Sequence, residues 1–505
     1  MSSLCHIPLG RPIPDRPHAI SVSLPTMADL IGYEEKDPAV LRQVPTGYPR
    51  FVLHPFVRTL TQEFARRNGL HGCAVWLTTT PALAERLCAW LGGDARVVAE
   101  GELTGVVFAA DPERNAQAKA FLQHCGGFLS SRQAEDLLAA AGLVPTPAPE
   151  ERVERNPLGA VKRELRRAFT GAGDDDLFLA PNGMNAVHSA FAAVNAVQAP
   201  LGRTVWIQLG WLYLDTIAIL GKFTATPASD HVVLPAVHDL AAVRRVLEEN
   251  RGRVAAIVTE APTNPLIQCA DIPGLAALAR EHGAHLVLDA SIASPWNVDV
   301  LPHADLALAS LTKYAAGDGD LLVGAVAVNP QRGDAAALRT ELEARVAKPY
   351  RRDLARLARE IRDVDALLAG INAATPRVAE FLASRPEVKR VHWALAPESR
   401  ENFLRIARTP GAVGSMITFE VADGLFGRVY DRARLPKGPS FGLRTTLFCP
   451  FMVLAHYDLV SKPEGRAKLA SHGLNPELLR LSVGLEPVDE IIGALAEALD
   501  AIKTS

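Results

Sequence analysis

Cysteine is scarce in this 505-residue chain. The six cysteines (Cys5, Cys73, Cys88, Cys125, Cys269 and Cys449) form no C-x-x-C pair. A disulfide framework is excluded at that density, and a reducing, cytoplasmic setting is expected. An excess of charge of one sign is also missing. Lys and Arg number 53 against 56 Asp and Glu, a formal net charge of −3. That balance excludes a footprint for nucleic acid or an acidic membrane. There is no apolar run of bilayer length, and no basic stretch followed by an apolar core at the N-terminus, so neither a membrane span nor a secretory leader is expected. His282 and His285 are close in sequence but have no acid or cysteine cluster at ligand spacing, so no metal site is expected. No internal repeat is visible. Small molecules are the expected partners.

What is present is a chain too long for one ordinary core, with 48% hydrophobic and 22% charged residues. Residues 1–60 are proline-rich but carry Tyr, Phe, Val and Leu, which predicts a docked arm rather than a disordered one. Residues 61–150 alternate strand and helix patterns. Cys73–Leu77 and Gly105–Ala109 read as strands, and Pro81–Leu91 and Ala116–His124 as helices. This is an inserted α/β segment that either covers a site entrance or builds a subunit interface. Its three cysteines are expected in the core. Pro145–Pro149 reads as a linker. Residues 151–372 repeat strand, helix, strand. Helices are expected at 153–169, 185–197, 239–250 and 274–282, and strands at 204–208, 254–260, 285–289 and 305–310. That alternation predicts a mostly parallel sheet with helices on both faces. Arginine-rich helices over 334–372 read as a solvated or interface face. Residues 373–505, with strands at 414–420 and 478–483 and a closing helix at 488–502, read as a smaller C-terminal α/β domain.

The chemistry concentrates at strand ends. Lys313 closes Ala307-Leu-Ala-Ser310-Leu-Thr-Lys313, and Asp289 closes His285-Leu-Val-Leu-Asp289. Singly, each is an ordinary strand end or cap. Glu260, Asp289 and Ser310 share that placement, and open parallel sheets bind ligands beyond the carboxyl ends of their strands. A lysine and an aspartate so placed suit pyridoxal 5'-phosphate (PLP). The amine links to the aldehyde, and the carboxylate keeps the pyridinium nitrogen protonated. Asn182-Gly-Met184 opens an apolar helix, an anion site in form and a plain cap when taken alone. Ser310-Leu-Thr-Lys313 also fits S-x-x-K, but that motif needs S-D-N and K-T-G partners, and neither tripeptide occurs. Gly317-Asp-Gly319 lacks the strand–helix context of a dinucleotide site.

Ser310-Leu-Thr-Lys313-Tyr314, Glu260-Ala-Pro-Thr-Asn-Pro-Leu266 and Arg480-Leu-Ser-Val-Gly-Leu-Glu486 resemble signatures of the Cys/Met-metabolism PLP-dependent enzymes. Gly47-Tyr-Pro-Arg-Phe51, Gly210-Trp-Leu-Tyr-Leu-Asp-Thr216, Lys437-Gly-Pro-Ser-Phe-Gly442 and the inserted segment are most like the long, fungal-type cystathionine γ-synthases. The resemblance implies a fold type I PLP-dependent transferase with PLP as cofactor. It implies that Lys313 holds the cofactor and is the catalytic base, and that Asp289 pairs with the ring nitrogen. Gly183, Met184, Ser310 and Thr312 would bind the phosphate. Tyr213 would stack on the ring, and Asn264 would lie near its hydroxyl. Arg480 would clamp the substrate carboxylate, a task suited to its fork, and Ser440 would help place the amine. Tyr48 and Arg50 match a Y-S-R element that in relatives reaches the phosphate of the neighbouring subunit, which implies a homodimer or homotetramer. Tyr48 and Tyr213 are candidates to assist proton transfer.

The implied activity is γ-replacement on an O-activated homoserine by cysteine or another thiol, giving cystathionine or a similar thioether. The alternatives are a γ-lyase or O-acetylhomoserine sulfhydrylase, and, from another class, a non-catalytic protein of the same fold. The chain departs from the family pattern at Pro49 inside Y-S-R, with no N-P-T after it, at Asn182 in place of Ser, and at Leu212 and Leu214-Asp215, where small or glycine residues usually lie.

Overall fold

The computed structural model describes residues 4–149 and 154–503. Residues 12–13 (β1) and 21–22 (β2) pair as a short ribbon within the arm. The inserted segment contains β3 (Cys73–Thr78), β4 (Arg96–Glu100) and β5 (Leu103–Ala109) in the antiparallel order β3-β5-β4. Its helices are Pro55–Arg67, Pro81–Leu91, Pro112–Cys125 and Ser131–Ala140. Each opens on a side-chain cap, His54, Thr80, Asp111 or Ser130, that satisfies an otherwise free amide. Apolar side chains lie on both faces of this sheet, giving the segment two small cores of its own. Of its cysteines only Cys125 is buried; Cys73 and Cys88 are half-buried, contrary to expectation, because each sits at an edge of those cores.

The large domain carries β6 (Leu177–Ala180), β7 (Val205–Leu209), β8 (His231–Leu234), β9 (Val254–Glu260), β10 (His285–Asp289), β11 (Leu306–Ser310) and β12 (Gly324–Val328). Their order is β6-β12-β11-β10-β9-β7-β8. Only β12 runs against its neighbours β11 and β6; the remaining pairings are parallel. Side chains alternate between the two faces with period two. Ile207, Ile257, Leu286 and Leu288 enter one core, with helices Pro157–Ala168 and Ile272–Glu281. Trp206, Val258, Val287 and Leu308 enter the other, with helices Gly183–Gln198 and Ala335–Arg345. Burial on both faces explains why these strands read as continuous apolar runs.

The C-terminal domain has β13 (Val388–Trp393), β14 (Met416–Val421), β15 (Leu447–Pro450) and β16 (Leu479–Ser482) in the antiparallel order β13-β14-β16-β15. Helices Val364–Ala383 and Val488–Lys503 pack on it. Helix Val364–Ala383 runs straight through the expected 372/373 boundary. Its first half (Val364, Leu367, Leu368) is buried in the large-domain core and its second (Val378, Ala379, Leu382) in the C-terminal core. The 60/61 boundary likewise falls inside helix Pro55–Arg67, and the 150/151 boundary and the start of the expected 153–169 helix lie outside the described residues. The arm is docked as expected. Val22, Leu24, Leu30 and Val44 are buried in the C-terminal core, and Leu24 N donates to Lys437 O at 3.0 Å.

Among the described residues no helix is long and apolar enough to cross a membrane. His285, Asp305 and Asp334 converge at the end of β10 remote from the strand carboxyl ends. Their polar atoms are already occupied: His285 contacts Gln198 at 2.7 Å and Asp334 at 2.5 Å, and Asp305 accepts from Leu286 N at 2.8 Å.

Candidate active site

The carboxyl ends of β9, β10 and β11 open into a cavity of about 710 Å³ lined by Glu260, Asp289, Ser310 and Lys313 together with residues of all the other domains. Asp289 lies directly beside Glu260 in the strand register. Glu260 is buried and Asp289 half-buried, and desolvation raises both above the ordinary carboxylate range, Glu260 to about 8 with the Asp289 charge as second cause. Glu260 is committed to structure. It accepts from Tyr213 N at 2.5 Å and Asn264 N at 2.9 Å, fixing two residues of the cavity wall. Its strand-end position was visible in the sequence, but this bracing role was not. Asp289 accepts from Ser291 N at 2.8 Å and has no ion-pair partner among the described residues. A half-buried carboxylate facing a cavity in this way suits a cation opposite it.

Lys313 follows β11 in a turn. Its amine donates to Ser440 Oγ at 2.6 Å and lies 4.8 Å from the Phe441 ring centroid and 5.0 Å from that of Tyr48. Burial, then the charges of Arg480 and Arg50, hold this amine well below the ordinary lysine range. Ser440 takes a left-handed φ of 92°, which brings its hydroxyl to the amine. Arg480, on the central strand β16, is buried. Its guanidinium donates to Asn264 Oδ1 at 3.3 Å and to Ser440 O at 3.4 Å, and lies over the Phe451 ring at 4.2 Å. The fork is thus held over an aromatic ring at the cavity wall. Neither phenylalanine was singled out for a role, although Phe441 lies within the Lys437–Gly442 motif; nothing local marks Phe451.

Gly183 and Met184 begin helix Gly183–Gln198, where amides lack intrahelical partners, and both line the cavity with Ser310. A Cβ at Gly183 would come within 3.0 Å of the Ser310 Cβ, so glycine is what lets the helix start approach the strand end. This is a cradle for an anion. Thr312 is not part of it. It is fully buried and not among the lining residues, and its hydroxyl is engaged with the Val323 main chain, accepting from N at 3.2 Å and donating to O at 3.3 Å. Here the hydroxyl expected at the phosphate is turned to the main chain.

In the arm, Tyr48 and Arg50 line this cavity. Arg50 is buried, pairs with the fully buried Asp215 and donates to the Tyr213 hydroxyl. Four residues separate Arg50 from helix Pro55–Arg67, a span of at most ~14 Å. Trp76 and Lys119 of the inserted segment also line the cavity. The arginine helices contribute too: Arg352 pairs with Asp136 and Glu135, and buried Arg356 with Asp318, Asp320 and Glu360, an interface within the chain.

Residues 168–500 match the model of the Cys/Met metabolism PLP-dependent enzyme family. The chain is 42% identical, over 97% of its length and 98% of the relative's, to L-2-amino-4-chloropent-4-enoate dechlorinase/desaturase of Streptantibioticus cattleyicolor. It is 28% identical to cystathionine gamma-synthase of Neurospora crassa, over 97% of this chain and 98% of that one. The fold matches the crystal structure of cystathionine gamma-synthase from Xanthomonas oryzae pv. oryzae in complex with cystathionine, with a TM-score of 0.58 and 22% identity over 71% of this chain and 90% of that one. The cavity suits the family's cofactor. A carboxylate with no ion-pair partner among the described residues, a lysine amine held well below its ordinary range and a glycine-floored helix start offer partners for the pyridinium, aldehyde and phosphate of PLP respectively.

Proposed function

Because the chain belongs to the Cys/Met metabolism PLP-dependent enzyme family, we propose that it binds an L-α-amino acid at Arg480 and expels a leaving group from the γ-carbon. When bound, PLP supplies the imine-forming aldehyde and the ring that accepts the negative charge left at Cα. Lys313, Gly183, Met184, Ser310, Asp289, Tyr213, Asn264, Tyr48 and Arg50 would hold it. Asp289 keeps the proton on the ring nitrogen. Arg480 takes the substrate carboxylate on its fork, which places the Cα hydrogen over the Lys313 amine.

The observation that carries this reading is the Lys313 amine itself. Burial and the charge of Arg480 hold it well below the ordinary lysine range, and it donates to Ser440 Oγ at 2.6 Å, which aims it. A neutral amine can take a proton from Cα and then, after passing it on, one from Cβ. The pair of electrons released at Cβ pushes out the group on Cγ. For a vinylic chloride such as L-2-amino-4-chloropent-4-enoate, hydrogen leaves from Cβ and chloride from Cγ, a net loss of HCl that yields a more unsaturated amino acid. The 42%-identical relative bears the name of this elimination, and we take it as the primary activity.

Replacement by a thiol such as cysteine, giving cystathionine or a similar thioether, is the second reading. It shares the first half of the chemistry, and the Neurospora relative supports it. So does the charge at the cavity wall, where Glu34, Lys36 and Lys119 could receive a second amino acid. The test is a mass-spectrometric product assay with L-2-amino-4-chloropent-4-enoate, O-acetyl-L-homoserine and O-succinyl-L-homoserine, each with and without L-cysteine. Chloride release with an unsaturated amino acid is expected from the first. Cystathionine formed only with cysteine would move the assignment to replacement. No loss of any γ-substituent would overturn the reading.

A further inference from the structure

The large domain and the C-terminal domain are joined beside the cavity by one side-chain hydrogen bond. Trp211 precedes Tyr213 by two residues, in the loop between β7 and helix Leu214–Phe223. Its ring leaves the large domain and packs against the C-terminal core. There its Nε1 donates to His456 Nε2 at 3.2 Å. The two rings meet edge to face, 5.2 Å apart at 74°, and the His472 ring also stands against the indole at 5.3 Å. An indole nitrogen only donates, so His456 accepts at Nε2 and carries its hydrogen at Nδ1. That is the neutral ring, and burial holds its pKa down to about 4.

A tryptophan N–H between domains needs an acceptor in any case, and the bond alone is ordinary packing. What gives it direction is the second contact of the same imidazole. His456 is the joint between two short helices, Phe451–Ala455 and Tyr457–Val460. Its amide donates to Met452 O, and its carbonyl accepts from Leu459 N and Val460 N, all at 2.9 Å. The first helix opens on Phe451, whose ring meets the His456 ring at 6.1 Å, edge to face, and the Arg480 guanidinium at 4.2 Å. Leu454 and Ala455 of that helix line the cavity. On the Trp211 side, Glu260 accepts from Tyr213 N and from Asn264 N, and Asn264 Oδ1 accepts from Arg480. The contacts form a closed ring. Arg480 is reached from the large domain through Glu260 and Asn264, and from the C-terminal domain through His456 and Phe451. The Trp211–His456 bond is the link that closes it.

We propose that His456 is a positioning residue for the substrate carboxylate. Through Trp211 it fixes the helix that carries Phe451, and with it the Arg480 fork, relative to the loop that carries Tyr213. An amino acid then meets a fork already set at the spacing from the cofactor pocket that the Lys313 amine requires, and no binding energy goes into ordering it. The inference rests on reading the cavity as the PLP and amino-acid site, and adds what sets the fork within it.

The test is the affinity of PLP-loaded protein for L-2-aminopentanoate, read from the change in cofactor absorbance on titration, beside urea denaturation of each variant. His456→Phe keeps an aromatic ring but leaves the Trp211 N–H without an acceptor. Its Kd is expected to rise about 5- to 20-fold, with PLP affinity within about twofold of wild type. His456→Gln returns an acceptor near the Nε2 position, and its Kd is expected within about threefold of wild type. Trp211→Phe deletes the same bond from the other end, so the double variant with His456→Phe should bind no more weakly than the weaker single. An unchanged Kd in His456→Phe would overturn the proposal. So would equal losses in His456→Phe and His456→Gln, or lower stability in urea with Kd untouched, which marks a residue that only packs. Should His456→Phe fail to fold, Trp211→Phe and His456→Gln make the comparison: the proposal requires Kd to rise in the first and not in the second. Arg480→Ala is the control. A raised Kd there with an unchanged one in His456→Phe sinks the proposal alone, whereas an unchanged Kd in Arg480→Ala removes the fork from the substrate and overturns the reading of the cavity as well.

Discussion

The cavity has two halves built in different ways. One is the set of strand ends, Glu260, Asp289, Ser310 and Lys313, where each reactive group is placed by the strand that precedes it. The other is the arm with its clamp, Tyr48, Arg50 and Gln123 gathered around Asp215, where every placement depends on contacts between segments far apart in the chain. The first half carries proton transfer and cofactor attachment. The second closes the site and holds charge near the anion cradle. The difference teaches that the reactive centre of such a sheet is dictated locally, whereas its enclosure is negotiated between domains and can be rebuilt by an insertion.

Substitutions separate the halves. Lys313→Ala removes both the cofactor attachment and the base, so turnover falls below detection and the lysine-bound absorbance vanishes; steady-state kinetics and a visible spectrum check this. Arg480→Ala removes the carboxylate fork while leaving the base. KM for the amino acid is expected to rise by about 10- to 100-fold, the worth of a charge-assisted pair, with the cofactor spectrum retained. An unchanged KM would take Arg480 out of the substrate site. Asp215→Asn acts in the other half. It leaves the buried Arg50 without its counter-charge, a loss of about 3–5 kcal/mol when one partner of a buried pair is removed. Urea denaturation should show it, and PLP affinity should weaken while the residual activity at saturating PLP keeps its substrate KM.

pH sharpens the same contrast. His54 in the arm and His124 in the inserted segment are both held down to about 4, chiefly by burial. A folded value below the unfolded one means that the unfolded state takes up protons first as pH falls. The stability each neutral imidazole contributes is complete above about pH 6.5 and is lost as pH drops toward 4. The arm and clamp should therefore loosen in that window. Hydrogen exchange at pH 7 and pH 4.5 is expected to show residues 41–140 losing protection before the β9–β11 strands; loss in the reverse order would contradict it.

How much was legible in the sequence follows the same division. β9 and β10 match the expected strands residue for residue, and β11 to within one residue, because full burial on both faces leaves unbroken apolar runs with a polar terminus. Lys313, Asp289 and Arg480 were found through those strand ends and motifs. β6, β8, β12, β13 and β15 were missed. Most are only four or five residues long, and the longer β13 is half-exposed and reads as charged. Helices Pro55–Arg67 and Ser131–Ala140 were missed because their apolar stripes face a small local core rather than a sheet. Asp215 was seen only as a departure from a glycine. Its partners, Arg50 and Gln123, lie 165 and 92 residues away, and no local pattern encodes such a pairing. The motif places Thr312 beside Ser310, and the turn after β11 directs its hydroxyl to the main chain of Val323, an orientation no motif encodes.

The most direct test of γ-carbon chemistry needs no leaving group. Wild-type protein loaded with PLP is incubated in heavy water with an unreactive straight-chain amino acid, L-2-aminopentanoate, and the Cα and Cβ protons are followed by NMR. Exchange at both carbons, absent in Lys313→Ala, is the predicted result. Exchange at Cα alone would show that Lys313 never reaches Cβ, and would contradict a reaction at Cγ.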